Sequence, residues 1–149
     1  MPDFDAIAVA LALRWAPGSV TPPVGYGNIR LSTANHPQKI GSLPCVLVFT
    51  DNGDLETTGG DRQGLHEFYV RFYYSQGVDI SRDAVALRKW LTVILDQLRT
   101  SVQLGGVALV DYARVDSWKI GKMSYANEDY NGIEMVVHVH TSEGWAASA

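Results

Sequence analysis

Residues 65–77, LHEFYVRFYYSQG, alternate in hydrophobicity with a period of two. His66, Phe68, Val70, Phe72 and Tyr74 fall on one side; Glu67, Tyr69, Arg71, Tyr73 and Ser75 fall on the other. That period is the signature of a β-strand. The even row is apolar enough for a core, yet the odd row still carries Tyr-Arg-Tyr. Residues 43–50, LPCVLVFT, form a continuous apolar run and predict a central strand. Residues 105–121, after a Gly-Gly break, predict a further strand. Residues 131–142, NGIEMVVHVHTS, predict the last one, with Ile133, Met135, Val137 and Val139 opposite Glu134, Val136, His138 and His140.

Two segments have helical spacing instead. In residues 3–15, DFDAIAVALALRW, Phe4, Ile7, Ala8, Leu11 and Trp15 share a stripe, and Asp3 or Asp5 can cap the N-terminus. Residues 80–100 form the second, with Ala84, Leu87, Leu91, Ile94 and Leu98 on one side and Asp79 or Ser81 as cap. Residues 16–28 hold three prolines and three glycines and read as a connector. Residues 29–42 read as an extended segment interrupted at Pro37. Residues 51–64, DNGDLETTGGDRQG, have four glycines and few apolar positions; they predict a long flexible loop or the tip of a projecting hairpin. Residues 143–149 read as a frayed tail. This order predicts a single α+β domain over 1–149, an antiparallel-rich mixed sheet with two main helices packed on one face.

A hydrophobic content of 46% and a charged content of 19% are globular values, and 149 residues can bury a core without a staple. The one cysteine, Cys45, excludes an internal disulfide and reads as a small buried hydrophobe within an apolar strand. The apolar run at residues 6–16 is too short to cross a bilayer, and Asp3 and Asp5 stand where a secretion signal carries positive charge. The expectation is a soluble protein from a reducing compartment, with no membrane partner. The net charge of −4 argues against a dedicated nucleic-acid binder.

Motifs that carry chemistry are few. His138-x-His140 places two imidazoles on one strand face, but a metal site needs a third ligand, and His66 or Glu134 qualifies only if the strands pair suitably. The expectation is no metal and no cofactor. TTGGDRQG lacks the Gly-Lys-Ser/Thr ending of a phosphate-binding loop and does not open a helix. No nucleophile elbow, Cys-x-x-Cys or His-Glu-x-x-His occurs. Surfaces remain. Tyr69, Arg71 and Tyr73 belong to residue types enriched at interface hot spots. The second helix sets Arg82, Arg88, Lys89 and Arg99 against Asp83 and Asp96, a net of +2. In residues 51–64, Asp51, Asp54, Glu56 and Asp61 less Arg62 leave −3. A head-to-tail contact joins two different patches of one subunit, and these two are complementary. The same acidic segment suits a lumen through which DNA slides without sticking.

The succession of N-terminal helix, SLPCVLVF, acidic glycine-rich segment, LHEFYVRFYYS, ISRDAVALRKWLTVILDQL and IEMVVHVHT resembles the tail terminator (tail completion) proteins of long-tailed bacteriophages, the minor tail protein U-like group. The likeness spans most of residues 3–141 and is one of order and texture. It implies a small α+β virion subunit, assembled in the host cytoplasm, that forms a hexameric ring on the head-proximal end of the tail tube. Such a ring stops tube polymerisation, meets the neck proteins and lets genome DNA pass through its lumen; no enzymatic activity is implied. The family supplies no residue motif to carry over, so the interface residues rest on the patterns above. Three other readings compete: a head–tail connector or stopper ring of the same neck, a tube-building subunit, and a small α+β enzyme using His66, His138 or His140.

Overall fold

A computed structural model of the chain describes residues 2–58, 61–77, 79–99 and 103–144. They form helix α1 (Phe4–Leu13), strands β1 (Leu31–Thr33), β2 (Cys45–Thr58) and β3 (Asp61–Gln76), helix α2 (Ile80–Arg99), and strands β4 (Val110–Tyr125) and β5 (Glu128–Gly144). The strands make one sheet in the order β1-β2-β3-β5-β4. Only β1 and β2 run parallel; every other pair is antiparallel. The protein is therefore α+β, with a mixed, mostly antiparallel sheet.

Both helices lie on the same face of the sheet. The alternation in β3 drives Phe68, Val70 and Phe72 into full burial there. Val46 and Val48 of β2 join them, with Ile133, Met135, Val137 and Val139 of β5. Each large apolar side chain so buried contributes about 1.5–3 kcal/mol. Asp3 caps α1 by accepting from the Ala6 backbone N–H at 3.0 Å, and Ile7, Leu11 and Trp15 are fully buried. Trp15 Nε1 donates to the Ile94 carbonyl at 3.0 Å, so the end of α1 is tied to α2. Asp79 accepts from the Ser81 N–H at 3.1 Å at the start of α2.

The buried side of α2 is rotated from the predicted stripe. Asp83, Leu87, Trp90, Ile94 and Leu98 are buried, whereas Ala84 and Leu91 are only half-buried. The indole is the reason: Trp90 packs on Phe72 with ring centroids 5.0 Å apart, and its area outweighs that of Ala84.

Of the two readings of residues 51–64, the projecting hairpin is the one that holds: the described residues 51–58 and 61–64 are strand. β2 and β3 stay paired from Gly53↔His66 to Thr58↔Asp61, after a bulge between Thr50 and Gly53. β5 runs beside them, from Leu65↔His140 to Asp61↔Gly144. The result is a three-stranded arm whose β2 residues Asp51–Thr57 are exposed. Gly53 and Gly64 make room rather than turns. A Cβ at Gly53 would lie 2.5 Å from His66 Nδ1, and one at Gly64 would lie 2.5 Å from His66 Nε2. Glu143 and Gly144, predicted as the start of a frayed tail, belong to β5; residues 145–149 lie outside those described.

Candidate assembly surface

Among the described residues, the sheet's second face carries no helix. Register gives its rows directly, since residues opposite one another share a face. Leu47, Arg71, Glu134 and Lys119 form one row across β2, β3, β5 and β4. Phe49, Tyr69, Val136 and Ser117 form the next, and Asp54, Leu65, His140 and Tyr112 lie in the arm. Polar pairs knit the face together. Arg71 Nε donates to Glu134 Oε2 at 2.7 Å, with its guanidinium 4.9 Å from the Phe49 ring centre. His138 lies 3.2 Å from Glu67 and 3.8 Å from Asp116. His140 Nδ1 is 2.7 Å from Asp111, and its ring stacks on Tyr112 at 5.0 Å with planes 3° apart. Arg71, Glu134, His138 and His140 are all half-buried, and these pairs fix their side-chain positions.

The expected Tyr-Arg-Tyr row is split. Tyr69 and Arg71 lie half-buried on the helix-free face. The Asp51 carboxylate beside Tyr69, by its charge first and then with partial burial, pushes the phenol above its usual range. Tyr73, expected on the same exposed row, is fully buried. Residues preceding β2 fold over that end of the sheet, so Leu31, Ile40 and Leu43 pack with Cys45, Leu47, Tyr73, Met123 and Tyr130 in a second small core. The Tyr125 hydroxyl donates to the Pro37 carbonyl and holds this cover down. Cys45 sits inside it, and burial raises its thiol to about 11.

The three histidines do not converge. His66 is on the helix face, hydrogen-bonded to Thr141 Oγ1 at 3.0 Å and edge-on to Phe4 at 4.9 Å. Burial first, and the charge of His140 second, hold it below the usual imidazole range. His138 and His140 are on the opposite face, because one residue's change of parity reverses direction in a strand. Among the described residues no group of three or more His, Cys, Asp or Glu is placed to hold a metal ion.

The charged patches stand at opposite ends of the molecule. Asp54, Glu56 and Asp61 all lie on the helix-free face of the arm; Arg62 is on its other face, 3.5 Å from Glu143. Asp54 and Glu56 border an open groove of about 620 Å³ with Leu65, Tyr112, Arg114 and His140. β3 runs roughly 50 Å from this end to the start of α2, at 3.2–3.4 Å per residue. There Arg82 lies 3.6 Å from Asp83, Arg88 is exposed, and Lys89 stands 5.8 Å from the Tyr26 ring centre. Of these, Arg82 lines a second groove of about 630 Å³ together with Tyr26, Arg30 and Tyr74, while Lys89 reaches its edge through Tyr26. The sequence reading missed Tyr26, Arg30 and Tyr112, because each belongs to a segment that gains its neighbours only through the fold.

No protein-family model matches the chain, and no curated protein sequence matches it.

Proposed function

We propose that this chain is a structural subunit of a bacteriophage virion, a tail terminator. Its copies close head-to-tail into a ring, six being the expected number, on the head-proximal end of the tail tube. The ring stops tube growth, joins the tail to the neck proteins and lets genome DNA pass. The protein works in the virion after assembly in the host cytoplasm and does no bond-making chemistry.

The observation that carries this reading is how much sheet lacks a partner within the chain. Both helices cover one face, leaving Tyr69, Val136 and Tyr112 on the other. Among the described residues two edges are also open: β4 pairs only with β5, and β1 pairs with β2 only from Cys45 to Leu47. Exposed edges and an aromatic, charge-patterned face are liabilities for a lone molecule and contact surfaces in an assembly. Acidic charge at one end and basic charge at the other favour a heterologous contact, which closes into a ring when the rotation allows. Tyr69, Arg71, Arg82, Arg88 and Lys89 are the proposed subunit or tube contacts, and the net-negative arm repels DNA phosphate wherever it meets the lumen. Among the described residues no helix is long and apolar enough to cross a membrane.

Negative-stain images of purified protein mixed with tail tubes test the proposal. Rings seated on one end of each tube support it. Rings that bind the portal-side adaptor and ignore tubes transfer the protein to the connector of the neck. Protein that polymerises into long cylinders makes it a tube subunit.

A further inference from the structure

We infer that the groove formed by Tyr26, Arg30, Leu43, Tyr74, Arg82 and Trp90 receives the acidic arm of a second copy, with Asp54 and Glu56 as the inserted carboxylates. This rests on the ring reading above and names its contact.

The groove has the size and the lining of a binding site. Its volume of about 630 Å³ falls within the range of ligand-holding clefts, and Tyr26, Leu43, Tyr74 and Trp90 give it apolar walls. Tyr26 and Tyr74 meet edge-on with centroids 6.5 Å apart. Its cations differ in how far they are satisfied. Arg82 already has a partner in Asp83, at 3.6 Å. Arg30 in the lining, and Lys89 beside it over the Tyr26 ring, have no ion pair among the described residues, and both are exposed. Trp90 supplies an independent sign. It is fully buried in the groove's lining, and its indole Nε1–H has no acceptor among the described residues. An unpaired buried donor costs about 1–3 kcal/mol and marks a place where an acceptor is missing.

The arm is the matching surface. Asp54, Glu56 and Asp61 share one face, so their charge is directed to one side rather than spread around the hairpin. Leu65 and Tyr112 lie beside them, 36% and 37% exposed, as apolar companions for the groove's tyrosines. Arm and groove stand at opposite ends of one subunit. They cannot satisfy each other within a copy, and each copy offers one of each.

Charge reversal tests this. Arg30→Glu/Lys89→Glu alters only exposed residues in and beside the groove, and Asp54→Lys/Glu56→Lys alters only exposed arm residues; circular dichroism checks that both fold. Each variant alone should lose rings, in solution and on tube ends, with assembly weakened at least ~30-fold as for other desolvated charge pairs. A 1:1 mixture, in which every arm again meets a groove of opposite charge, should regain rings of alternating copies. Rings that persist in the groove variant, or a mixture that stays dissociated, overturn the contact while leaving the ring reading in place. A wild type that never assembles, alone or on tubes, overturns both.

Discussion

Replacing Asp83 with alanine should unsettle the base of α2 and with it the basic groove. Asp83 is 8% exposed and faces the sheet. It accepts from the Ser75 hydroxyl and from Asn131 Nδ2 at 2.9 Å, with Arg82 at 3.6 Å. Arg82 is exposed and adds little. Asn131 has no exposure, and in the variant it keeps only a 3.3 Å bond to the Asp79 carbonyl. Losing charge-assisted bonds to one buried and one half-buried donor costs about 2–4 kcal/mol. For a chain of this size that lowers Tm by roughly 5–15 °C. Burial alone would raise the Asp83 pKa, but the Ser75 and Asn131 bonds and the Arg82 charge outweigh it and hold the carboxyl below its ordinary 3.8. A depressed carboxyl contributes stability above the unfolded value and loses it as pH falls through the folded one. Urea unfolding at fixed protein concentration should therefore show a large gap between wild type and Asp83→Ala at pH 7 that narrows below about pH 4. A gap under about 1 kcal/mol at pH 7, or one that does not change with pH, refutes the reasoning.

Gly132→Ala should destabilise by at least about 2 kcal/mol, because its Cβ would lie 2.0 Å from the Phe72 carbonyl oxygen, a backbone atom that cannot step aside. Thermal unfolding reads this, and a Tm unchanged from wild type contradicts it. Cys45, fully buried with its thiol raised to about 11, should resist thiol reagents at pH 8 in the native protein and react at once in denaturant. Equal rates in both states would place the thiol on the surface.

Much of the fold was legible because its strands are half-buried in a simple way. Where one face meets helices and the other does not, as in Phe68–Val70–Phe72 and Ile133–Met135–Val137–Val139, the period of two is visible in the residues themselves. The arm was legible only as one of two alternatives, loop or projecting hairpin, because a ribbon exposed on both faces has no apolar alternation to decide between them; its ladder to β5 is a long-range fact. Tyr73 looked like its neighbour Tyr69, and only the cover from residues preceding β2 separates their fates. The helix stripe was misplaced by one strip of α2, since counting apolar positions gives Ala84 the same weight as Trp90. The acidic and basic patches were readable as charge runs. Their placement at opposite ends, and the tyrosines and Arg30 that turn one of them into a groove, depend on segments far apart in the chain.

The claim at the centre of this account is that the protein acts by docking copies onto a tube end. Its most direct measurement is the length of tail tubes grown from purified tube subunits with increasing amounts of this protein, imaged by negative stain. The account predicts tubes that shorten as the protein is added, each bearing one ring at a single end. Tubes of unchanged length with bare ends would contradict it.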